Sequence, residues 1–218
     1  QQVSSAASDV YKRQVLFSIQ GSEHSSYKSS KNHIKHFLTD GKHVILGAKD
    51  DAGVVSLSVD NNGDRYGLVV SHESHNHPSQ IVPYEGAATG VGGNVRDVCC
   101  MGAEVMSLGD SLRFGDIKRN KTKWISDGVV SGIAGYGNPL GIPNICGDLY
   151  FDKEYNENCL VTVLTAGIVK EKSVIRSKAP ENSAGYDLIL VGKPTDNSGF
   201  GGASFASLEL EEEKEQQN

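Results

Sequence analysis

The sequence predicts a mixed α/β fold, and three observations support this prediction. Short apolar runs of strand-like composition recur along the chain, and two longer stretches repeat apolar residues at helical spacing. The chain also holds 25 glycines in 218 residues, more than the usual share of about 7%, which indicates turns and close backbone contacts. The predicted strands are residues 44–48, 54–59, 65–71, 104–112, 160–169 and 188–191, and residues 143–148 lead into one more.

The composition is that of a globular protein, with 38% apolar and 22% charged residues. No stretch approaches the roughly 20 apolar residues of a membrane span. A formal net charge of −6 argues against nucleic-acid binding, which would need a basic stripe. The four cysteines form no C-x-x-C pair, so we expect free thiols and a cytoplasmic protein, with Cys99 and Cys100 on a buried helix.

The first 14 residues show no apolar core of a signal peptide. We expect residues 1–14 to be foreign to the gene and exclude them from the fold. A first domain is expected over residues 15–169. A linker into a second domain is expected over residues 170–218, which end in the acidic sequence LELEEEKEQQN.

Local patterns define the elements between these boundaries. Residues 61–64, Asn-Asn-Gly-Asp, predict a hairpin turn because Asn-Gly tolerates positive φ. Helical spacing predicts one helix from Gly86, with Asn94 and Asp97 away from its core face, and a second helix over residues 124–136. The expected core-facing residues are Ala87, Val91, Val95 and Val98 in the first helix, and Ile125, Val129, Ile133 and Tyr136 in the second.

The stretch richest in chemistry is residues 71–97, SHESHNHPSQIVPYEGAATGVGGNVRD. Pro78 is expected to end the preceding strand, since proline cannot donate to a ladder. We expect this segment to be extended, so that Glu73, His75 and His77 share one face while Ser74 and Asn76 take the other. The glycines after residue 85 let the backbone pass close to a neighbour, and a helix start favours an anion. This stretch predicts an active site.

Two other interpretations of the stretch stay open on the residues alone. The cluster could be a hydrogen-bonded polar patch at a loop. His72, His75 and His77 with Glu73 could also form a zinc site, although the Cys/His pairs of structural zinc are absent. A hard cation fits better, because Glu73 and Asp97 offer carboxylate oxygens and magnesium prefers one or two carboxylates together with water and phosphate.

Three blocks of sequence carry a resemblance to a known family. They are ESHNHPSQIVPYEGAATGVGGNVRDVCCMGAEVMSLGDSLRFG, SEHSSYKSSK from Ser22, and GIAGYGNPLGIPNICGDLYFD from Gly132. In this order they closely resemble the N-terminal region of the phosphoribosylformylglycinamidine synthases, within the aminoimidazole ribonucleotide synthetase-like superfamily. The resemblance covers most of the chain from about Gly21 onward.

The resemblance implies an architecture and a place in a longer protein. An N-terminal domain of this family contributes four mixed strands to a β-barrel with helices outside, and an α/β domain follows. The full family protein contains two such halves arranged as a pseudo-dimer. The chain would then be a fragment, with a barrel edge that is unpaired unless it dimerises.

The resemblance also implies a reaction. The family converts formylglycinamide ribonucleotide to formylglycinamidine ribonucleotide in de novo purine biosynthesis, using ATP and magnesium. An iminophosphate forms, and ammonia from a glutaminase partner displaces the phosphate. A small accessory subunit can belong to the complex. The isolated fragment is expected to be inactive, and it shows no nucleophilic-cysteine glutaminase pattern of its own.

Site residues carry over position by position. The resemblance implies that His24 and His75 are catalytic and that Tyr27 contacts ATP. It implies that Ser74, Asn76, His77 and Arg96 hold the substrate, and that Glu73 and Asp97 bind magnesium. A planar guanidinium such as that of Arg96 suits a phosphate.

The chain departs from the family pattern at several positions. Ser71 stands where a basic residue usually helps to hold ATP, Ser25 where cysteine is usual, and Asp148 where glutamate is usual. The glycine-rich loop at residues 195–202 lacks its usual arginine. Asp110 and Arg113 close a strand, where they form either a salt bridge or part of the site.

Three competing functions remain. The chain could belong to a sister enzyme of the superfamily, of the aminoimidazole ribonucleotide synthetase, selenophosphate synthetase or thiamine-phosphate kinase type. It could be a metal-dependent hydrolase that uses the three histidines at positions 72, 75 and 77. It could also be a non-catalytic fragment that only binds partners.

Overall fold

The computed structural model describes residues 27–192, together with Arg13 and Leu16. The chain divides into two compact units, Leu38–Leu188 and the combination of Gln1–Phe37 with Ile189–Asn218. In the second unit, the described part includes helix α1, Lys31–Ile34. The boundaries expected at residues 15, 169 and 170 remain predictions.

The larger unit is built on one six-stranded sheet. Its strands are β1 (Val44–Leu46), β2 (Gly53–Val59), β3 (Arg65–Ser74), β4 (Glu104–Phe114), β5 (Asn144–Phe151) and β6 (Leu160–Lys170). They lie in the order β1-β2-β3-β6-β4-β5, and only the β4–β5 pair is parallel. The predicted α/β class is confirmed. In the described residues the sheet is open rather than closed into a barrel, with β1 and β5 at its edges.

Three helices accompany the sheet: α2 (Asn76–Ile81), α3 (Pro83–Cys100) and α4 (Asn120–Gly137). Short 3₁₀ turns lie at Asn138–Leu140, Lys153–Tyr155 and Glu171–Ser173. Along β6, every second residue is buried while its neighbours are half-buried. This alternation shows that the helices cover one face of the sheet. No helix among the described residues is long and apolar enough to cross a membrane.

The core lies between the helices and the covered face of the sheet. One cluster joins α3 and α4 to β4 and β6, and a smaller one joins the end of α3 to β1–β3. The core faces predicted for the two helices are confirmed, except that Tyr136 is only partly buried. The buried members are Ala87, Val91, Val95, Val98, Ile125, Val129 and Ile133.

The predicted hairpin turn between β2 and β3 is confirmed. Gly63 has φ +84°, a conformation that glycine adopts without a steric penalty. The Asp60 carboxylate accepts hydrogen bonds from the backbone N–H groups of Asn62 and Asp64, both at 2.9 Å. A side-chain cap therefore fixes the turn that the Asn-Gly pair predicts.

Besides the barrel, two further expectations about the fold fail. Residues 188–191 form no strand, and Leu188 is fully exposed. Cys99 and Cys100 lie on α3, which is buried along one face as expected, but both are exposed at its last two positions. All four cysteines are free, and burial raises the pKa of the Cys159 thiol to about 12.

Candidate active site

The site forms at the corner where β3 passes into α2. The strand ends at Ser74 and the helix begins at Asn76, so the extended course expected through His77 is wrong. Pro78 lies in the first turn of α2, where its missing N–H leaves no helical hydrogen bond unmade. Glu73 therefore stays on the strand, whereas His77 belongs to the helix.

Helix α3 lies against this corner along a row of glycines. A Cβ atom built on Gly86 would lie 2.6 Å from the nearest backbone nitrogen of α2. On Gly90 it would lie 2.9 Å from the Cβ atom of His75, and on Gly93 it would lie 2.8 Å from Oε2 of Glu73. The glycines do allow a close approach, as expected, but at these positions the close neighbour is the protein's own motif.

A buried polar cluster continues this contact behind the corner. The hydroxyl oxygen of Ser71 lies 2.8 Å from Oδ1 of Asn94 and 3.0 Å from Oδ2 of Asp97. The amide nitrogen of Asn94 donates to the backbone oxygen of Val163 on β6, which turns its Oδ1 toward Ser71. The cluster thus connects β3, α3 and β6 beneath the proposed site.

Burial has the largest effect on the pKa of the Asp97 carboxyl group. Loss of solvation raises the pKa of this carboxyl group, the hydrogen bond from Ser71 opposes the rise, and the charge of Asp51 adds to it. The hydroxyl group of Ser71 thus faces Asp97 at the position where the family resemblance implies a basic side chain. A bound cation would stabilise the ionised carboxylate that burial disfavours.

The described residues offer few ligands for a metal. Within them, no group of three or more His, Cys, Asp or Glu side chains lies close enough together to hold an ion. His72 and Glu73 are neighbours on β3 and so project to opposite faces of the sheet. Glu73 contacts α3 at Gly93, one helical turn before Asp97 on the same helix face. These two carboxylates suit magnesium that takes its other ligands from phosphate and water.

The remaining candidates lie at different depths. Ser74 and Arg96 are exposed, and His77 is half-buried. Tyr27, in the smaller unit, is exposed and has φ +50°. His24 and Ser25 lie outside the described residues, as does the loop at residues 195–202.

Asn76 already has a structural contact. Its Oδ1 accepts a hydrogen bond of 2.8 Å from the backbone N–H of Val161. The side-chain oxygen is thereby engaged, which leaves the amide nitrogen as the group available to a substrate.

The Asp110–Arg113 pair is not a salt bridge. Arg113 instead holds both oxygens of Asp148, at 2.9 and 2.8 Å, and lowers the pKa of that carboxyl group to about 2. Asp110 accepts a hydrogen bond from Asn144 and lines a cavity of about 160 Å³ between β4 and α4. Burial raises the pKa of Asp110.

The places of Ser71 and Asn94 in the buried polar cluster were not predicted from the sequence. Ser71 lies two residues before Glu73 on the same strand, so the two-residue period of a strand could have placed both on one face. Asn94 is fully buried, although it was expected away from the core. Its spacing of three after Val91 and four before Val98 puts it on the buried side.

Comparisons with known proteins identify the family of the chain. Residues 49–169 match the family "AIR synthase related protein, N-terminal domain". Phosphoribosylformylglycinamidine synthase subunit PurL of Methanothrix thermoacetophila is 53% identical over 203 residues, covering 90% of this chain and 26% of that protein. The same subunit of Caulobacter vibrioides is 47% identical over 201 residues, covering 92% of this chain and 26% of that protein.

Solved structures give the same result. Thermotoga maritima PurL complexed with ADP aligns with a TM-score of 0.62 at 39% identity, covering 77% of this chain and 26% of that one. PurL of the same organism complexed with FGAR aligns with a TM-score of 0.62 at 39% identity, and the alignment covers 77% of this chain and 25% of that one. The chain spans about a quarter of the length of the curated relatives it matches. Because the family match extends over more than half of its residues, the chain belongs to the AIR synthase-related proteins, of which it carries the N-terminal domain.

Proposed function

We propose that the protein containing this chain amidates formylglycinamide ribonucleotide to formylglycinamidine ribonucleotide in purine biosynthesis, with ATP as the phosphoryl donor. One observation carries the proposal: the β3–α2 corner is pressed against the glycine row of α3, which gathers Glu73, His75 and Asp97 along one contact. The 53% identity to a PurL subunit supports the same reaction. A relative complexed with FGAR and others complexed with ATP and ADP support the substrates.

The chemistry explains why these residue types are needed. An amide carbon is a poor electrophile and its oxygen a poor leaving group, so the oxygen is phosphorylated before ammonia attacks. Phosphoryl transfer depends mainly on alignment and on neutralising charge. Magnesium held by Glu73 and Asp97 would supply that neutralisation against the ATP phosphates.

The histidines and their neighbours act on the substrate side. His75 is proposed as the proton acceptor, since an imidazole titrates near neutral pH, with His24 as a second catalytic histidine. Ser74, Asn76, His77 and Arg96 hold the substrate, and Tyr27 contacts ATP. The exposure of Ser74 and Arg96 leaves both accessible to a ligand.

The reaction needs partners. A structure of PurLQS from Thermotoga maritima matches this chain with a TM-score of 0.59, which supports an assembly of several subunits. We propose that a glutaminase subunit delivers ammonia, that a small accessory subunit joins the complex, and that the reaction takes place in the cytoplasm. The β5 edge, with exposed Ile145, Leu149 and Tyr150, is a surface where a second half or a second copy could pair.

The deciding experiment follows ADP release by the protein extended to the length of its relatives. The reaction contains Mg-ATP and ammonium chloride, with or without formylglycinamide ribonucleotide. We expect ADP release that depends on this substrate. A folded protein that releases none would instead favour a sister enzyme of the superfamily, whose own substrates would then be tested.

The variant His75→Ala tests the proposed base within this reaction. We expect amidation to fall by about 10²–10⁴-fold, the usual worth of a general base, while the circular dichroism spectrum stays unchanged. Near-normal turnover would remove His75 from this role. His72→Ala is the matched control, because His72 is exposed on β3, the strand that ends just before His75.

A further inference from the structure

Helix α2 carries His77 and follows His75 directly, yet it has little stability of its own. It is six residues long, and no side chain caps its N-terminus. Helices this short do not persist without tertiary contacts, because nucleation is costly. The contacts that hold α2 in place therefore decide where these histidines lie.

Those contacts begin where the β3–β6 ladder ends. Ser74 is the last residue of β3 and pairs with Thr162, and the His75 N–H donates to the Val161 oxygen at 2.8 Å. From this point β3 offers no further backbone partner to β6. The backbone N–H groups of Val161, in β6, and of Cys159, just before it, nevertheless have hydrogen-bond partners on that side.

Two side-chain amides provide them. The Val161 N–H donates to Oδ1 of Asn76 at 2.8 Å, and the Cys159 N–H donates to Oε1 of Gln80 at 2.9 Å. The two amides thus continue the ladder across the change from strand to helix.

The spacing explains why a helix can do this. Asn76 and Gln80 are four residues apart, so they lie on one helix face with an axial separation of about 6.0 Å. Alternate residues of a strand, such as Cys159 and Val161, are about 6.8 Å apart and direct their N–H groups to the same side. One face of α2 therefore matches the spacing of the strand.

The amide nitrogen of Gln80 also forms a hydrogen bond. Its nitrogen donates to the backbone oxygen of Asn156 at 3.2 Å, while Oδ1 of Asn156 accepts from the N–H of Asp116 at 2.8 Å. Gln80 is only 8% exposed, so water cannot readily replace these bonds, and losing them leaves buried polar groups unsatisfied.

We propose that Gln80 is a positioning residue of the site: its amide fixes α2 to the start of β6 and thereby sets the positions of His75 and His77. The roles of the two histidines rest on the proposed function. The attachment of α2 to β6 by Gln80 rests only on the hydrogen bonds to Cys159 and Asn156. Gln80 touches no reacting atom in this proposal.

The test compares variants of the 218-residue chain by NMR. Gln80→Met keeps the length of the side chain and removes both hydrogen bonds. Gln80→Glu keeps the acceptor for Cys159 and loses the donor to Asn156. Ile81→Ala is the control, because Ile81 is 55% exposed on the same helix. Amide hydrogen exchange at Cys159 and the ring signals of His75 and His77 are measured in each.

In Gln80→Met we expect exchange at Cys159 to quicken about tenfold, since one hydrogen bond is worth close to that factor, and both histidine ring signals to shift. Exchange at Val163, in the middle of β6, should stay unchanged. Unaltered Cys159 exchange would overturn the proposal. Faster exchange with unmoved histidine signals would also overturn it, since Gln80 would then be structural only.

If Gln80→Met does not fold, Gln80→Glu decides the question. Its Cys159 exchange should stay near the wild-type rate, while the histidine signals shift because the Asn156 contact is lost. Unmoved histidine signals there would overturn the proposal. None of these measurements requires amidation. A result against the positioning role of Gln80 can therefore be distinguished from a result against the proposed reaction.

Discussion

Helices α3 and α4 have the same length, 18 residues each, and lie side by side on the same sheet, but they use their glycines differently. Gly90 and Gly93 of α3 admit the His75 side chain and the Glu73 carboxylate, respectively. The glycines of α4 admit the first turn of α3: Gly128 meets Pro83, and Gly132 meets the backbone oxygen of Tyr84.

Their buried residues differ in the same way. Besides apolar side chains, α3 buries Asn94 and half-buries Asp97, whereas the buried side chains of α4 are apolar apart from Thr122. Burying polar groups costs free energy unless hydrogen bonds compensate, and Ser71 and Val163 supply those bonds to Asn94. We conclude that α4 contributes mainly apolar packing, whereas α3 combines apolar packing with the buried polar cluster around Asn94.

The largest expected loss of stability is in Gly132→Ala. The new methyl group would collide with the backbone of α3 at Tyr84, so the two helices must move apart. Overpacking of this kind costs about 3 kcal/mol of unfolding free energy. Urea unfolding measures it, with Gly41→Ala as the control, because nothing lies within 4 Å of the Cβ built there. Equal stability of the two variants would contradict the tight α3–α4 contact.

Asn94→Leu tests the polar side of the comparison. The substitution removes the amide and leaves the Val163 oxygen buried without its donor. We expect a loss of about 2 kcal/mol, within the range for an unsatisfied buried group. Val130→Leu on α4 is the control, because Val130 is 52% exposed and a larger apolar side chain there does not overpack the core. A stable Asn94→Leu protein would show that the cluster contributes nothing to the fold.

Gly93→Ala should separate function from stability. The methyl group meets only the far end of the Glu73 side chain, which can rotate away. Alanine also favours a helix over glycine by about 1 kcal/mol. We therefore expect the unfolding free energy to stay within about 1 kcal/mol of wild type, while the protein's affinity for Mn²⁺, measured by water-proton relaxation, weakens. Unchanged Mn²⁺ binding would remove Glu73 from the proposed ligands.

The smallest effect is expected away from both helices, at the Arg113–Asp148 pair. The folded-state pKa of Asp148, about 2, lies below its ordinary value of 3.8. The pair's contribution to stability is therefore complete above pH 3.8 and is lost as the pH falls through about 2. Arg113→Leu should raise the Asp148 pKa toward 3.8 in a carboxyl NMR titration. A midpoint that stays near 2 would mean that Arg113 is not the cause.

Much of the fold follows from local pattern. The helical spacing of Ala87, Val91 and Val95 predicts the buried face of α3, because a 3.6-residue period leaves one side apolar. The Asn-Gly pair at residues 62–63 predicts the turn between β2 and β3 for a similar local reason. Both predictions depend only on neighbours in sequence, and both are confirmed.

The predictions that fail concern segments whose conformation is not determined by their neighbours in sequence. Pro78 suits a strand end as well as a first helical turn, so its presence could not separate the two. The apolar run at residues 188–191 has strand-like composition, but composition does not supply a pairing partner, and the run is exposed.

By itself, then, the sequence determined which segments become helices and strands over most of the described chain, and it identified the motif for which we propose the chemistry. Only the tertiary structure decided how that motif is held: Ser71 against Asn94 and Asp97, Gln80 against Cys159, and Arg113 against Asp148 rather than Asp110. These pairs are separated by 23 to 79 residues. Such contacts depend on the order of strands in the sheet and on where each helix crosses it, which local periodicity does not specify.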